Sequence, residues 1–219
     1  MDTILHDSSI YDGLPELPVD RQGWHSDHEV FKTLILETMP EVIIEVGSWK
    51  GASAIGMLTK CDQLAEELGM PAFAPHLFCV DTWLGSPEIW RVAKYRDENP
   101  RRHGYPQVYF QFLSNIREAG YAPRVTPLPM TSRQGAGLLG DNQVTAGLIY
   151  IDASHDYADV TEDLKNYWSL LAPGGVMFGD DWGFLGVRVA VNEFTHYREM
   201  EVQVVDGNYW IIRKARAAK

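Results

Sequence analysis

Asp152 follows the apolar run Ala146 to Ile151, and Asp180-Asp181 follow Val176 to Phe178 and Gly179. Each acid sits where a buried strand would end. If the two strands are neighbours, the three carboxylates stand close enough to repel one another strongly. A divalent cation resolves that conflict, and an all-oxygen donor set favours Mg²⁺, Mn²⁺ or Ca²⁺ over zinc. The plainer alternative is that one or two of these acids cap helices or face solvent.

A second set of residues lies earlier, in Ile43-Ile44-Glu45-Val46-Gly47-Ser48-Trp49-Lys50-Gly51-Ala52-Ser53. A β-branched run leads into a glycine turn, and a second glycine opens a helix. Glycine lets backbone approach a ligand closely, and the helix that follows points free N–H groups at it. The spacing is Glu-x-Gly-x-x-x-Gly, not the Gly-x-Gly-x-x-Gly of dinucleotide redox enzymes. A tightly packed βα turn without a ligand would read the same way.

Elements must bring these sets together. Helical spacing is expected over His28 to Met39, Gly51 to Leu68, Phe112 to Glu118, Val160 to Leu171 and Gly186 to Tyr197. Strands are expected at 41–46, 76–80, 125–129, 146–151 and 176–178, then a hairpin of 202–205 and 209–213 around Asp206-Gly207-Asn208. Alternating helices and continuous apolar strands predict an α/β fold: a Rossmann-like, doubly wound, mostly parallel seven-stranded sheet with a C-terminal antiparallel hairpin. Ligands in such sheets bind beyond the carboxyl ends of the strands. Glu45, Asp81, Thr131, Asp152, Asp180 and Asp181 all fall there. Residues 1–25 read as an N-terminal arm or lid, and 26–219 as one domain. Within that domain, 84–110 reads as a substrate-side insertion without clean period.

The chain of 219 residues carries a net charge of −11, which argues against nucleic acid or an anionic membrane as partner. Cys61 and Cys79 make no disulfide framework or zinc site by themselves. Neither a signal peptide nor a membrane-spanning run is apparent, so a cytoplasmic location is expected.

The residues Glu45-Val46-Gly47-Ser48-Trp49-Lys50-Gly51, Asp81 and Leu171-Ala172-Pro173-Gly174-Gly175, with the closing hairpin, resemble the class I S-adenosylmethionine (SAM)-dependent methyltransferases. The resemblance runs from about Phe31 to Arg213. Ile151 to Tyr157 with Gly179-Asp180-Asp181 is similar to the metal-dependent small-molecule O-methyltransferases, including those acting on macrolide and aminocoumarin sugars. Catechol O-methyltransferases share the layout.

The resemblance implies SAM as cofactor, S-adenosylhomocysteine (SAH) as product, and Mg²⁺ or another divalent cation at Asp152, Asp180 and Asp181. Gly47, Ser48, Trp49, Gly51 and Ser53 would hold the methionine end, with Glu45 at its ammonium. Asp81 and Thr82 would reach the ribose, and Trp83 and Ser132 the adenine. Asp152 would serve cofactor, metal and catalysis together. His155 stands where the catechol enzymes carry a lysine, and its ordinary pKa of about 6.5 suits a general base near neutral pH. The acceptor would be a hydroxylated small molecule. The alternatives are a metal-independent methyltransferase and a non-catalytic or redox nucleotide-binding module. Self-association is a further expectation, with Tyr11 and Trp24 in the aromatic arm to serve it.

Overall fold

The computed structural model describes residues 6–95 and 97–216. Met1 to Leu5 of the expected arm, Arg96 of the expected insertion and the last three residues lie outside the described residues.

The first βαβ unit explains most of the architecture. Helix α1 (Glu29–Thr38) starts where the His28 ring accepts the Val30 N–H, and ends where Met39 turns left-handed at φ 39°. Pro40 follows and cannot continue it. Strand β1 (Val42–Val46) is buried along its whole length, as a central parallel strand must be. Helix α2 (Ala52–Glu67) returns the chain to β2 (His76–Asp81), which pairs in parallel with β1 from Val42–His76 to Val46–Val80.

Downstream come α3 (Pro87–Arg91), a small hairpin of β3 (Arg101–Arg102) and β4 (Tyr105–Pro106), then α4 (Val108–Glu118) and β5 (Val125–Pro129). These are followed by α5 (Ser132–Asp141), β6 (Ala146–Ile151), α6 (Tyr157–Leu170), β7 (Leu171–Gly179) and α7 (Leu185–His196). Strands β8 (Gln203–Val205) and β9 (Tyr209–Arg213) close the chain. The main sheet has the order β5-β2-β1-β6-β7-β9-β8. Only β9 runs opposite to the other six strands. The seven-stranded, mostly parallel sheet with its terminal hairpin is as expected.

Side chains alternate across the sheet into two cores. Ile43, Leu77 and Leu148 face α1, α2 and α4 with Phe31, Leu58 and Phe112. Val42, Ile44 and Val80 face α5, α6 and α7 with Leu139, Leu164 and Val191. Among the described residues no helix is long and apolar enough to cross a membrane.

Several boundaries differ from expectation. Helix α5 was not anticipated, because Gly135, Gly137 and Gly140 dilute its apolar pattern. A capping box between Thr131 and Gln134 starts it. Helix α4 begins at Val108, one turn before the expected Phe112. The stretch 84–110 is less irregular than read, since α3 and the β3–β4 hairpin lie in it. Strand β7 begins at Leu171, five residues before the expected Val176, so Pro173-Gly174-Gly175 lies inside it, beside a register shift between Ala146 and Leu148.

Candidate functional site

The turn after β1 is built by its glycines. Gly47 has φ +89°, and a Cβ there would stand 2.0 Å from the Asp152 carbonyl oxygen. The space is occupied by the end of β6, so glycine brings strand ends together as well as exposing backbone. Gly51 (φ +84°) opens α2 over the Phe112 ring.

The polar groups of this turn are turned inward. Ser48 and Trp49 both donate their N–H groups to Asp81 Oδ2 at 2.9 Å, and Trp83 N–H donates to Oδ1 at 2.7 Å. Glu45 is fully buried. Its Oε2 accepts from Ser48 Oγ at 2.5 Å and from the Cys79 thiol at 3.4 Å, and its Oε1 accepts from Ser53 Oγ. Burial pushes the Glu45 carboxyl up to about 7, against the pull of those hydrogen bonds.

Three expected contacts are placed differently from the simple picture. Trp83 was expected over an adenine, but its ring is 1% exposed, packed on Tyr109 and Phe112, with its indole N–H on the Trp49 carbonyl at 2.7 Å. It therefore supports the glycine turn from below. Ser132 bonds Asp163 through its hydroxyl and accepts the Tyr167 hydroxyl at its carbonyl. Thr82 Oγ1 accepts the Leu84 N–H at 3.3 Å.

The described part of the arm crosses this turn. Lys50 Nζ pairs with Asp20 at 2.6 Å, and Trp49 Nε1 donates to Gln22 at 3.0 Å. Asn115 Nδ2 ties the Asp20 and Lys50 carbonyls together at 2.7 and 2.8 Å. Further on, the Tyr209 hydroxyl donates to the His25 carbonyl at 2.7 Å, and His28 pairs with Asp206 at 2.9 Å. Asp20, Gln22, Asn115 and Tyr209 carried no local signal in the sequence, since their partners are far along the chain.

The β6–β7 end is different. Donor atoms of Asp152, His155 and Asp181 lie within 4.8 Å of one another. His155 Nε2 is 2.6 Å from Asp181 Oδ2, and its ring stacks on Phe184 at 4.3 Å. Asp152 Oδ2 accepts the Tyr150 hydroxyl at 3.1 Å. Tyr150 was missed, though it sits two residues before Asp152 and shares its face of the strand. Asp180 keeps a buried Oδ1 without a partner. Burial, then the neighbouring Asp180, holds Asp152 well above the usual carboxylate range. Burial, then Asp181, pushes Asp180 up to about 6. Clustered acids of raised pKa, an orphaned buried oxygen and a nearby imidazole are a donor set that suits a divalent cation. Asp152 and Asp181 of the expected metal set converge with His155, Asp180 lines the same pocket without joining that donor group, and Gly47 packs the glycine turn against Asp152.

A family profile described as a methyltransferase domain matches residues 44–182. Solved structures of similar fold include the O-methyltransferase NovP, 18% identical, covering 86% of this chain and 79% of that one at a TM-score of 0.59. The O-methyltransferase TomG from Streptomyces achromogenes, in complex with SAM, is 15% identical and covers 95% of this chain and 86% of its own, with a TM-score of 0.60. An O-methyltransferase from Bacillus cereus, in complex with SAH, is 15% identical, with 97% and 94% covered and a TM-score of 0.58. No curated protein matches the sequence.

Proposed function

This chain belongs to the methyltransferase-domain family, and from that premise we propose that it moves the methyl group of SAM to a hydroxyl of a small molecule with help from a divalent cation. The observation that carries the proposal is the contact of Gly47 with the Asp152 backbone. It sets the glycine turn, where the methionine end of SAM would lie, against the acids that would meet the acceptor.

In this reading Gly47, Ser48, Trp49, Gly51 and Ser53 shape the methionine end, with Glu45 behind them. The spare lone pair of Asp81 Oδ1 takes a ribose hydroxyl, with Thr82 and Ser132 shaping the nucleoside side and Trp83 holding the turn from below. Asp152, Asp180 and Asp181 would hold the cation, which when bound lowers the pKa of an acceptor hydroxyl. The His155 imidazole accepts the hydroxyl proton, and Asp181, paired with its Nε2, orients the ring. The acceptor oxygen then forms its bond to the methyl carbon as the sulfonium–carbon bond breaks, leaving an ether and SAH. The arm, residues 1–25, acts as the lid that excludes water, and 84–110 contacts the acceptor.

A metal-independent transfer is the second reading. The His155–Asp181 pair favours it, because an imidazolium there would neutralise one acid without a metal.

The test is a calorimetric titration of the full chain with SAM, followed by SAH release on a panel of hydroxylated acceptors with and without EDTA. Binding near the micromolar range, about −8 kcal/mol, is expected, with turnover abolished by EDTA and restored by Mg²⁺. Turnover indifferent to EDTA selects the second reading. No binding at millimolar SAM overturns both.

A further inference from the structure

We infer that the acceptor carries an anionic group, a phosphate or a carboxylate, received by a ledge of Trp90, Lys94, Tyr95, Arg101 and Arg102. The inference rests on the transfer reading above and names its substrate class. Residues 84–110 hold five Lys and Arg against three Asp and Glu, inside a chain whose net charge is −11. Such a chain repels anions over most of its surface, so a local cationic excess is the place where one can dock.

The cations of the ledge are presented on aromatic faces. The Arg101 guanidinium lies 3.7 Å from the Trp90 ring centre, and Lys94 Nζ lies 4.9 Å from that of Tyr95. Trp90 is 44% exposed and is pinned by its indole N–H on the Leu84 carbonyl at 2.7 Å. Stacking holds the charge in place while leaving its donors free for a ligand. Among the described residues, Lys94, Arg101 and Arg102 pair with no carboxylate. In the same segment, Asn99 is 1% exposed with neither end of its amide bonded, and its Nδ2 faces Gly85. A buried carboxamide without partners is costly unless a ligand satisfies it.

The arm joins this ledge to the acids. Trp24 meets Tyr95 edge-on at 6.2 Å, while the next residue, His25, accepts the Tyr209 hydroxyl at its carbonyl, and Tyr209 opens β9, whose Trp210 pairs with Gly179 beside Asp180.

Calorimetry on the full chain, saturated with SAH and Mg²⁺, tests the inference with two matched pairs: catechol against 3,4-dihydroxybenzoate, and glucose against glucose 1-phosphate. The charged member of at least one pair binds about tenfold tighter or more, and which pair responds separates carboxylate from phosphate. Arg101→Gln and Lys94→Gln each remove most of that preference without changing affinity for SAH. Equal affinity within both pairs, or a preference that survives both substitutions, overturns the inference. Affinity for SAH is read separately in the same experiment, so failure of the methyltransferase reading is distinguishable from failure of the ledge.

Discussion

At the β1–β2 end of the sheet, every carboxylate oxygen of Glu45 and Asp81 has a donor from the chain itself. At the β6–β7 end, Asp180 retains an orphaned buried oxygen, and beyond burial Asp180 pushes the pKa of Asp152 up while Asp181 pushes up that of Asp180. Both ends hold acids at strand termini, but one is complete without a ligand and the other is not. The glycine turn is a preformed cradle whose N–H groups already have an anion, Asp81. The acid cluster is an electrostatic conflict awaiting a positive charge. Preorganisation and unrelieved repulsion are thus built side by side from the same residue type.

Gly47 is where the two regions touch, and its loss is expected to have the largest effect. Alanine there combines a left-handed φ of +89° with a Cβ 2.0 Å from backbone that cannot step aside. Gly47→Ala should cost more than about 3 kcal/mol in urea unfolding. A cost below about 1 kcal/mol would mean that the two ends are not mechanically joined.

The next pair of variants contrasts the regions directly. Asp81→Ala strands three N–H groups and should cost about 2–3 kcal/mol. Asp180→Asn removes one of the repelling charges and should instead gain about 1 kcal/mol in EDTA. Millimolar Mg²⁺ or Mn²⁺ should raise the melting temperature of the parent chain but not of Asp180→Asn. Destabilisation by both variants in EDTA would show that the acid cluster is as self-satisfied as the glycine turn.

How much of this was legible in the sequence follows the same divide. Strand ends could be read from apolar runs meeting an acid, so Asp81, Asp152, Asp180 and Asp181 fell at one edge as expected. The parallel strands were legible because burial on both faces leaves continuous Val, Ile and Leu. Long-range partnerships were not. Nothing near Trp83 announces that its ring will pack on Phe112 under the turn, or near Asp20 that it will meet Lys50. Glycine-rich α5 shows the converse problem, a helix whose local pattern is weak and whose capping box and packing decide it. The chemistry was legible where it depends on residue type, and hidden where it depends on which partner tertiary structure supplies.

Glu45 offers the finest test of the comparison, because it is saturated with hydrogen bonds yet held near neutrality by burial. Its carboxyl sits at about 7 in the folded chain against 4.5 ordinarily. The folded state therefore keeps a proton that the unfolded state releases, and Glu45's contribution to stability falls as pH rises from 4.5 to 7, then levels off. Between pH 5.5 and 7, Glu45→Gln should gain about 1–2 kcal/mol relative to the parent chain, as read from urea midpoints across that window. The acids at β6–β7 titrate in both proteins and cancel in the difference. A difference that stays flat with pH would mean that Ser48, Ser53 and Cys79 stabilise the anion fully, and that the glycine turn holds a ready carboxylate for the ammonium of SAM. A rising difference means instead that the cation must displace a proton on binding. In that case SAM binding near pH 7 releases protons, and its calorimetric heat varies with the ionisation enthalpy of the buffer.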